Sequence, residues 1–312
     1  MEFFKKPPQI RFMENRRWFY AGSLIMVVAS IVLLATRGLN FGIDFTGGVV
    51  VEVGYPQAAE LDRARETLAK AGYPDAQVQA IGATGQELLI RVGPREDKNI
   101  NAVGRDIAAA LQRADPGAEL RRTDVVGAQV GKDLTEQGGL ALLFTFLLIL
   151  IYVGFRFEKK MAAATVIAAM HDPLIILGFF SATQLTFDLS VLAAVLAVIG
   201  YSINDTVVVF DRVRETFPMM RKAPPAQVIN TAVNATLSRT LITSFSTLFV
   251  VGALYLFGGE ALKGFSVAII VGVVVGTYSS IFIASALALD MKLNILDILP
   301  PVKDKDEVDA MP

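Results

Sequence analysis

The chain of 312 residues has no cysteine, a single histidine and a formal net charge of -1. Without thiols it can form neither disulfides nor thiolate metal sites, which is compatible with an exported domain but gives no evidence for one. So balanced a charge offers no argument for a nucleic-acid partner. A nucleotide loop is missing too. The stretch GAQVGKD, Gly127 to Asp133, has one residue too few between its glycines and an Asp where Ser or Thr should hold magnesium. With no ATP site evident, any work this protein does should draw on the membrane itself.

What the chain has in quantity is long apolar blocks: 53% of its residues are hydrophobic, and the mean hydropathy is +0.50. Stretches of about 18 or more residues with few or no charges predict membrane spans. They run Trp18 to Thr36, Gln137 to Phe155, Met161 to Thr183, Leu189 to Phe210, Thr240 to Phe257 and Ala261 to Leu289. Three of them are interrupted, by Asp205, by the pair His171 and Asp172, and by Lys263 near a span edge.

Lys and Arg fall on one side of this pattern. They stand before the first span (Lys5, Lys6, Arg11, Arg16, Arg17), between the second and third (Arg156, Lys159, Lys160), between the fourth and fifth (Arg212, Arg214, Arg221, Lys222, Arg239) and in the tail (Lys292, Lys303, Lys305). The short connections Gln184 to Asp188 and Gly258 to Glu260 carry none. Positive charge stays inside, so both termini are expected to be cytoplasmic. The first apolar run is too long for a signal core, and LLATRGLN lacks a convincing small-residue cleavage site, so it reads as an uncleaved span. The expected order is a cytoplasmic segment 1–17, a first span 18–36, an exported domain 37–136, five further spans within 137–290 and a cytoplasmic tail 291–312.

Within 37–136 the pattern alternates strand and helix. GGVVVEVGY (47–55) reads as a strand and QAAELDRARETLAKAG (57–72) as a helix, followed by the strands AQVQAIG and ELLIRVG. A second helix over about 98–114 and the strand AELRRTDVVG close a β-α-β-β-α-β order, the ferredoxin-like arrangement. No His or Cys lies in it, and a docking or substrate-contact domain accounts for it better than an enzyme. Gly42, Gly47, Gly48 and Asp44 of FGIDFTGG suit tight turns and capping where the chain leaves the membrane, with a substrate contact as the alternative.

Asp205 is the leading functional candidate. A carboxylate inside a span costs on the order of 3 kcal/mol by insertion scales, and burial lets it hold a proton. Its expected depth is roughly 8 Å from the cytoplasmic end of its span. Asn204 stands beside it, and Ser202 shares roughly its face. Arg239, expected to open the fifth span, is the counter-charge, with Thr243 and Ser246 extending its polar face. Plainer accounts are an interfacial Asp with a structural partner and an Arg that anchors its helix end. His171 and Asp172, just before Pro173, form a second constellation, either a kink with an internally bonded polar pair or a relay. An intramembrane aspartyl protease would use two such carboxylates, but SIND lacks the Gly-x-Gly-Asp signature and the two depths differ. Gly272, Gly276 and Ser280 present a small-residue face that lets helices approach closely.

FGIDFTGG, HD, GYSINDTVVVFDRVRE, SRTLITS and LYLFGG, in this order over nearly the whole chain, closely resemble the SecD/SecF family of bacterial protein-export membrane proteins, in its SecF form. The resemblance implies half of an RND-type transporter, an α-helical membrane protein of six transmembrane helices with one exported ferredoxin-like α+β domain between the first two. It implies a non-enzymatic accessory subunit of the Sec translocase in the bacterial cytoplasmic (inner) membrane. That subunit would use protons as coupling ion and no cofactor or metal. The implied partners are SecD, the SecYEG channel, unfolded preproteins and membrane lipid, with YajC and YidC as further candidates. Its functional aspartate falls on Asp205 and its arginine on Arg239, and His171 and Asp172 match a motif whose role is less fixed. The competing expectation is half of an RND-type small-molecule or lipid exporter, which should carry a larger exported region.

Overall fold

The computed structural model of the protein describes residues 8–82, 84–95 and 100–298. The first residues of the basic segment, the expected start of the second helix at 98–99 and most of the tail, with Lys303 and Lys305, lie outside the described residues. Among those described, six helices are long and apolar enough to cross a membrane.

A 3-10 turn, Phe12–Asn15, leads into α1 (Arg16–Thr36). A two-residue strand β1 (Asn40–Phe41) and a single helical turn α2 (Ile43–Thr46) then lead to the sheet domain. This consists of β2 (Gly48–Gly54), α3 (Leu61–Lys70), β3 (Gln77–Ile81), β4 (Glu87–Val92), α4 (Ile100–Ala114) and β5 (Glu119–Val126). The membrane helices resume with α5 (Ala128–Arg156) and α6 (Lys159–Thr183), then a short β6 (Thr186–Phe187), α7 (Leu189–Met219) and α8 (Pro225–Phe257). The last span begins as α9 (Glu260–Tyr278), widens into a π turn over Ser279–Ala284 and ends as α10 (Ser285–Asp290); a short α11 (Ile295–Ile298) follows.

Several helices outrun the apolar blocks that announce them. α5 starts nine residues before Gln137, α7 runs nine past Phe210, and α8 starts fifteen before Thr240. Hydropathy marks where lipid begins, whereas a helix continues as long as its backbone bonds are closed and one face stays packed. In α8 the added turns bury Val228, Ile229, Ala232 and Val233, and Pro225 sits at the first helical position, where its missing amide costs nothing. Arg239 therefore stands fourteen residues into α8 and not at its opening. Asp205 stands sixteen residues after Leu189 and fourteen before Met219, near the middle of α7. α6, α7 and the last span form the buried centre of the bundle, with α1 and α5 at its periphery.

The four-stranded sheet has the order β3-β4-β2-β5, all neighbours antiparallel, which is the ferredoxin-like topology. Val49, Val51 and Val53 of β2 and Leu88, Ile90 and Val92 of β4 point to one face, where they bury Leu68 of α3 and Val103, Ile107 and Leu111 of α4. The period-2 alternation puts Val50, Glu52, Leu89 and Arg91 on the other face. That face looks across a cavity of about 790 Å³ towards the α6–α7 turn and the start of α9.

Candidate functional site

Asp205 is 3% exposed, and its Oδ2 is buried without a hydrogen-bond partner. The neighbouring helix presents a second orphan of the same kind, the hydroxyl of Thr240. Between these helices the Tyr201 hydroxyl donates to Ser244 Oγ over 3.1 Å; Asp205 lies one turn after Tyr201 on α7 and Thr240 one turn before Ser244 on α8. Asp205 Oδ2 and the Thr240 hydroxyl are each a buried polar oxygen unsatisfied by protein, the setting in which a water or a proton would be held. Arg239 acts on Asp205 electrostatically, yet the two form no ion pair within 4.0 Å among the described residues. The expected contact is thus a longer-range one: Arg239 is exposed on the outside of the bundle while Asp205 points in.

The supporting residues distribute differently from the expectation. Asn204 is exposed, as the residue next to an inward-facing helical position should be. The Thr243 hydroxyl donates to the carbonyls of Arg239 (3.1 Å) and Thr240 (2.9 Å) of its own helix, so it stays on α8. Ser202 shares the inward face of α7, but its hydroxyl is given to Asp172 Oδ2 and not to Asp205.

His171 and Asp172 prove to be the hub of the bundle. Asp172 is 0% exposed; its Oδ1 bonds His171 Nδ1 at 2.8 Å, and its Oδ2 also receives the Ser279 hydroxyl at 2.8 Å. On the other side of the imidazole, Nε2 meets Ser23 Oγ of α1 at 2.6 Å. This network ties α1, α6, α7 and the π turn together. Ser23 had no signal in the sequence, because a lone Ser in an apolar helix is ordinary, and Ser279 stood beside Ser280 with nothing to mark it as the carboxylate partner. The π turn lets Ser279 reach Asp172 while its neighbour Ser280 contacts Thr206 Oγ1 (2.9 Å) and the Ser202 carbonyl (3.2 Å). Gly272 and Gly276 face Val198 and Ser202, so the small-residue stripe packs α9 onto α7 inside the chain.

The FGIDFTGG segment forms a joint between the sheet domain and the α6–α7 turn. β1 pairs with β6 in parallel, Asn40 with Thr186 and Phe41 with Phe187, and the Gly42 amide donates to the Phe187 carbonyl at 2.8 Å. The Asp44 carboxylate accepts from the Leu189 amide at 2.9 Å, capping the first turn of α7, the helix that carries Asp205. Asp188 caps the same turn through Val191. Gly47 and Gly48 hold φ of +72° and +123°, conformations L side chains rarely adopt. A Cβ on Gly48 would also collide with the Val92 carbonyl.

Sequence reading missed Arg91. It is 9% exposed on β4 and donates from Nη2 to Thr186 Oγ1 (2.7 Å), and from Nη1 to Asn40 Oδ1 (3.2 Å) and the Phe41 carbonyl (3.4 Å). Burial pushes its guanidinium below the ordinary arginine value, and the charges of Asp188 and Asp44 oppose that shift. Sheet, α1 exit and α6–α7 turn therefore meet on one buried cation. No group of three or more metal-ligating side chains occurs among the described residues.

Comparison with known proteins gives a consistent family assignment. The family model for the C-terminal part of the protein export membrane protein SecD/SecF matches residues 106–294, and the SecD/SecF GG motif matches residues 32–59. The protein translocase subunit SecF of Pseudomonas aeruginosa is 48% identical over 305 residues, covering 97% of this chain and 98% of that protein. The SecF subunit of Vibrio alginolyticus is 45% identical over 314 residues, covering 100% of this chain and 99% of its own. Among solved structures, the translocon-associated membrane protein SecDF of Thermus thermophilus matches with a TM-score of 0.83 at 34% identity over 93% of this chain. The chain spans 40% of that SecDF protein's length.

Proposed function

The chain belongs to the SecD/SecF family of protein-export membrane proteins, and on that premise we propose that it is the SecF-type subunit of a Sec translocase that uses proton flow to promote preprotein export. Its six membrane-compatible helices and its relatives make it a multi-pass protein of the bacterial inner membrane that serves Sec-associated export. On this reading it works beside SecD and the SecYEG channel, with YajC and YidC as further candidates. The sheet domain lies on the outer side and both termini face the cytoplasm. It acts on unfolded preproteins as a non-enzymatic subunit without cofactor or metal.

In this mechanism Asp205 alternates between protonated and ionised forms. The observation that carries it is the buried, unsatisfied Asp205 Oδ2 in mid-helix, with Arg239 acting on it from α8 without closing an ion pair. A closed ion pair would hold the carboxylate ionised, whereas an open one leaves it able to take up a proton. The joint supplies the second half of the mechanism. Because Asp44 caps α7 and Arg91 holds Thr186, a tilt of α7 is passed to the sheet domain through bonded contacts.

Moving one charge across the membrane is worth about 2.3 kcal/mol per 100 mV, so a membrane potential of ~150 to 200 mV supplies roughly 3.5 to 4.5 kcal/mol. Swinging a two-state equilibrium from 1:99 to 99:1 takes about 5.5 kcal/mol. One proton biases the domain usefully, and two complete the swing. Co-purification of the Asp205→Asn variant with SecD and the Sec channel, combined with an export assay, tests the reading. The variant should assemble normally and lose the gradient-dependent part of export; loss of assembly would instead make Asp205 a structural residue.

A further inference from the structure

The Ser23, His171 and Asp172 contacts have the connectivity of a serine-hydrolase triad, but Ser23 lies within α1, where the backbone amides that would have to stabilise an oxyanion are committed to the helix. The charge count leads elsewhere. Three polar groups converge on Asp172: the Ser202 and Ser279 hydroxyls donate to one oxygen, and His171 Nδ1 meets the other. Two hydroxyl donors on a single oxygen suit a carboxylate, and with Asp172 ionised it is Nδ1 that carries the hydrogen shared with the other oxygen. With Nδ1 donating, the open variable is Nε2. Left bare, it accepts the Ser23 hydroxyl and the network carries a net negative charge; protonated, it donates to Ser23 Oγ and the network is neutral.

Among the described residues, His171 is the one ion-pair partner of Asp172. Away from the helix ends, the neighbouring helices carry Tyr20 on α1, Tyr152 on α5, Tyr201 and Asp205 on α7, Arg239 on α8 and Tyr278 on α9, and among the described residues none of these hydrogen-bonds to the pair. An uncompensated charge at a position 0% exposed inside a membrane bundle is far costlier than a paired one. We propose that the His171–Asp172 pair is a second proton-binding site of this bundle, which takes one proton from water onto His171 Nε2 and returns the same proton to water.

The site is built to communicate with Asp205. Ser202, which donates to Asp172, lies three residues before Asp205 on α7, and its carbonyl accepts the Thr206 and Ser280 hydroxyls. Discharge of the pair leaves a net negative charge on the carboxylate that Ser202 holds, and Ser202 stands one turn before Asp205 on α7, so the two sites bind protons interdependently. Two sites match the two protons that complete the swing, and only this use rests on the proton-driven reading above; proton binding at His171 stands apart from export.

The single histidine makes the test clean. The full chain, labelled with 15N-histidine, purified through a histidine-free tag and placed in lipid vesicles, is examined by solid-state NMR between pH 5 and 9. A free imidazole, with its ordinary value of about 6.5, is about 3% protonated at pH 8. The expected result is both ring nitrogens protonated in most molecules at pH 8, falling roughly tenfold in Asp172→Asn and measurably in Asp205→Asn. If Asp172→Asn fails to fold, Ser279→Ala removes one carboxylate contact and should lower the doubly protonated fraction. A wild-type histidine singly protonated at pH 8 overturns the proposal and leaves the network a static pin. Normal export by Asp205→Asn alongside a doubly protonated His171 would sink the export reading and spare this one.

Discussion

Replacing Arg91 by alanine should loosen the joint that fastens the sheet domain to α7. The variant loses one short bond to Thr186 Oγ1 at 2.7 Å and two long ones to Asn40 Oδ1 and the Phe41 carbonyl. Bonds from a charged donor are worth about 1.5–3 kcal/mol each, and the two long ones count at the low end or below it. Asp44 and Asp188 also lose the cation whose charge they share. Breaking a buried charged contact on one side costs about 3–5 kcal/mol. The joint keeps its β1–β6 pairing and both caps of α7, so about 3 kcal/mol is the expected loss, or on the order of 100-fold in local opening. Amide hydrogen exchange reads this directly. The Gly42 amide, bonded to Phe187, and the Leu189 amide, bonded to Asp44, should exchange about 100-fold faster, while the β2–β4 ladder keeps its protection. Arg91→Lys, with the charge but no fork, should fall between. Unchanged exchange at Gly42 and Leu189 would show that Arg91 does not hold the joint.

Gly48→Ala combines a φ of +123° with a collision against Val92 and should destabilise the sheet domain by about 3 kcal/mol, measured as a lower thermal midpoint. Gly272→Ala pushes a Cβ into Val198 and should lower the stability of the chain on its own by about 1–3 kcal/mol; a stripe serving only a partner chain would leave the isolated protein unaffected. Glu52 is pushed above the ordinary carboxylate range, first by burial and then by Glu87. The folded domain therefore favours its neutral form, and stability falls as pH rises from the unfolded value through the raised folded one. Glu52→Gln should remove that part of the slope and slightly raise domain stability at neutral pH, as followed by denaturant midpoints at pH 4 and pH 7; an unchanged slope would count against it.

Those expectations rest on features of unequal visibility in the sequence. Asp205 and the His171–Asp172 pair could be read because a charge inside an apolar run is expensive and therefore conspicuous. The strand order of the sheet domain could be read because Val49, Val51 and Val53 alternate cleanly against outward residues. Helix ends could not, since α8 continues fifteen residues beyond its apolar block on the strength of packing that hydropathy does not register. Ser202 was placed on the right face, yet which carboxylate it serves depends on how α6 and α7 cross. Arg91 sat at an outward strand position that nothing distinguishes from solvent until β1 and β6 close over it. The Asp44 cap joins residues 145 positions apart and has no local trace at all.

The central claim is that Asp205 couples proton flow to preprotein movement. Inverted membrane vesicles carrying this protein with SecD and the Sec channel allow export to be measured with and without an imposed proton gradient. The account predicts that wild-type vesicles export faster when the gradient is imposed, and that Asp205→Asn vesicles, with the same amount of assembled complex, export at the ungradiented rate in both conditions. A full gradient-dependent increment in the Asp205→Asn vesicles would contradict it.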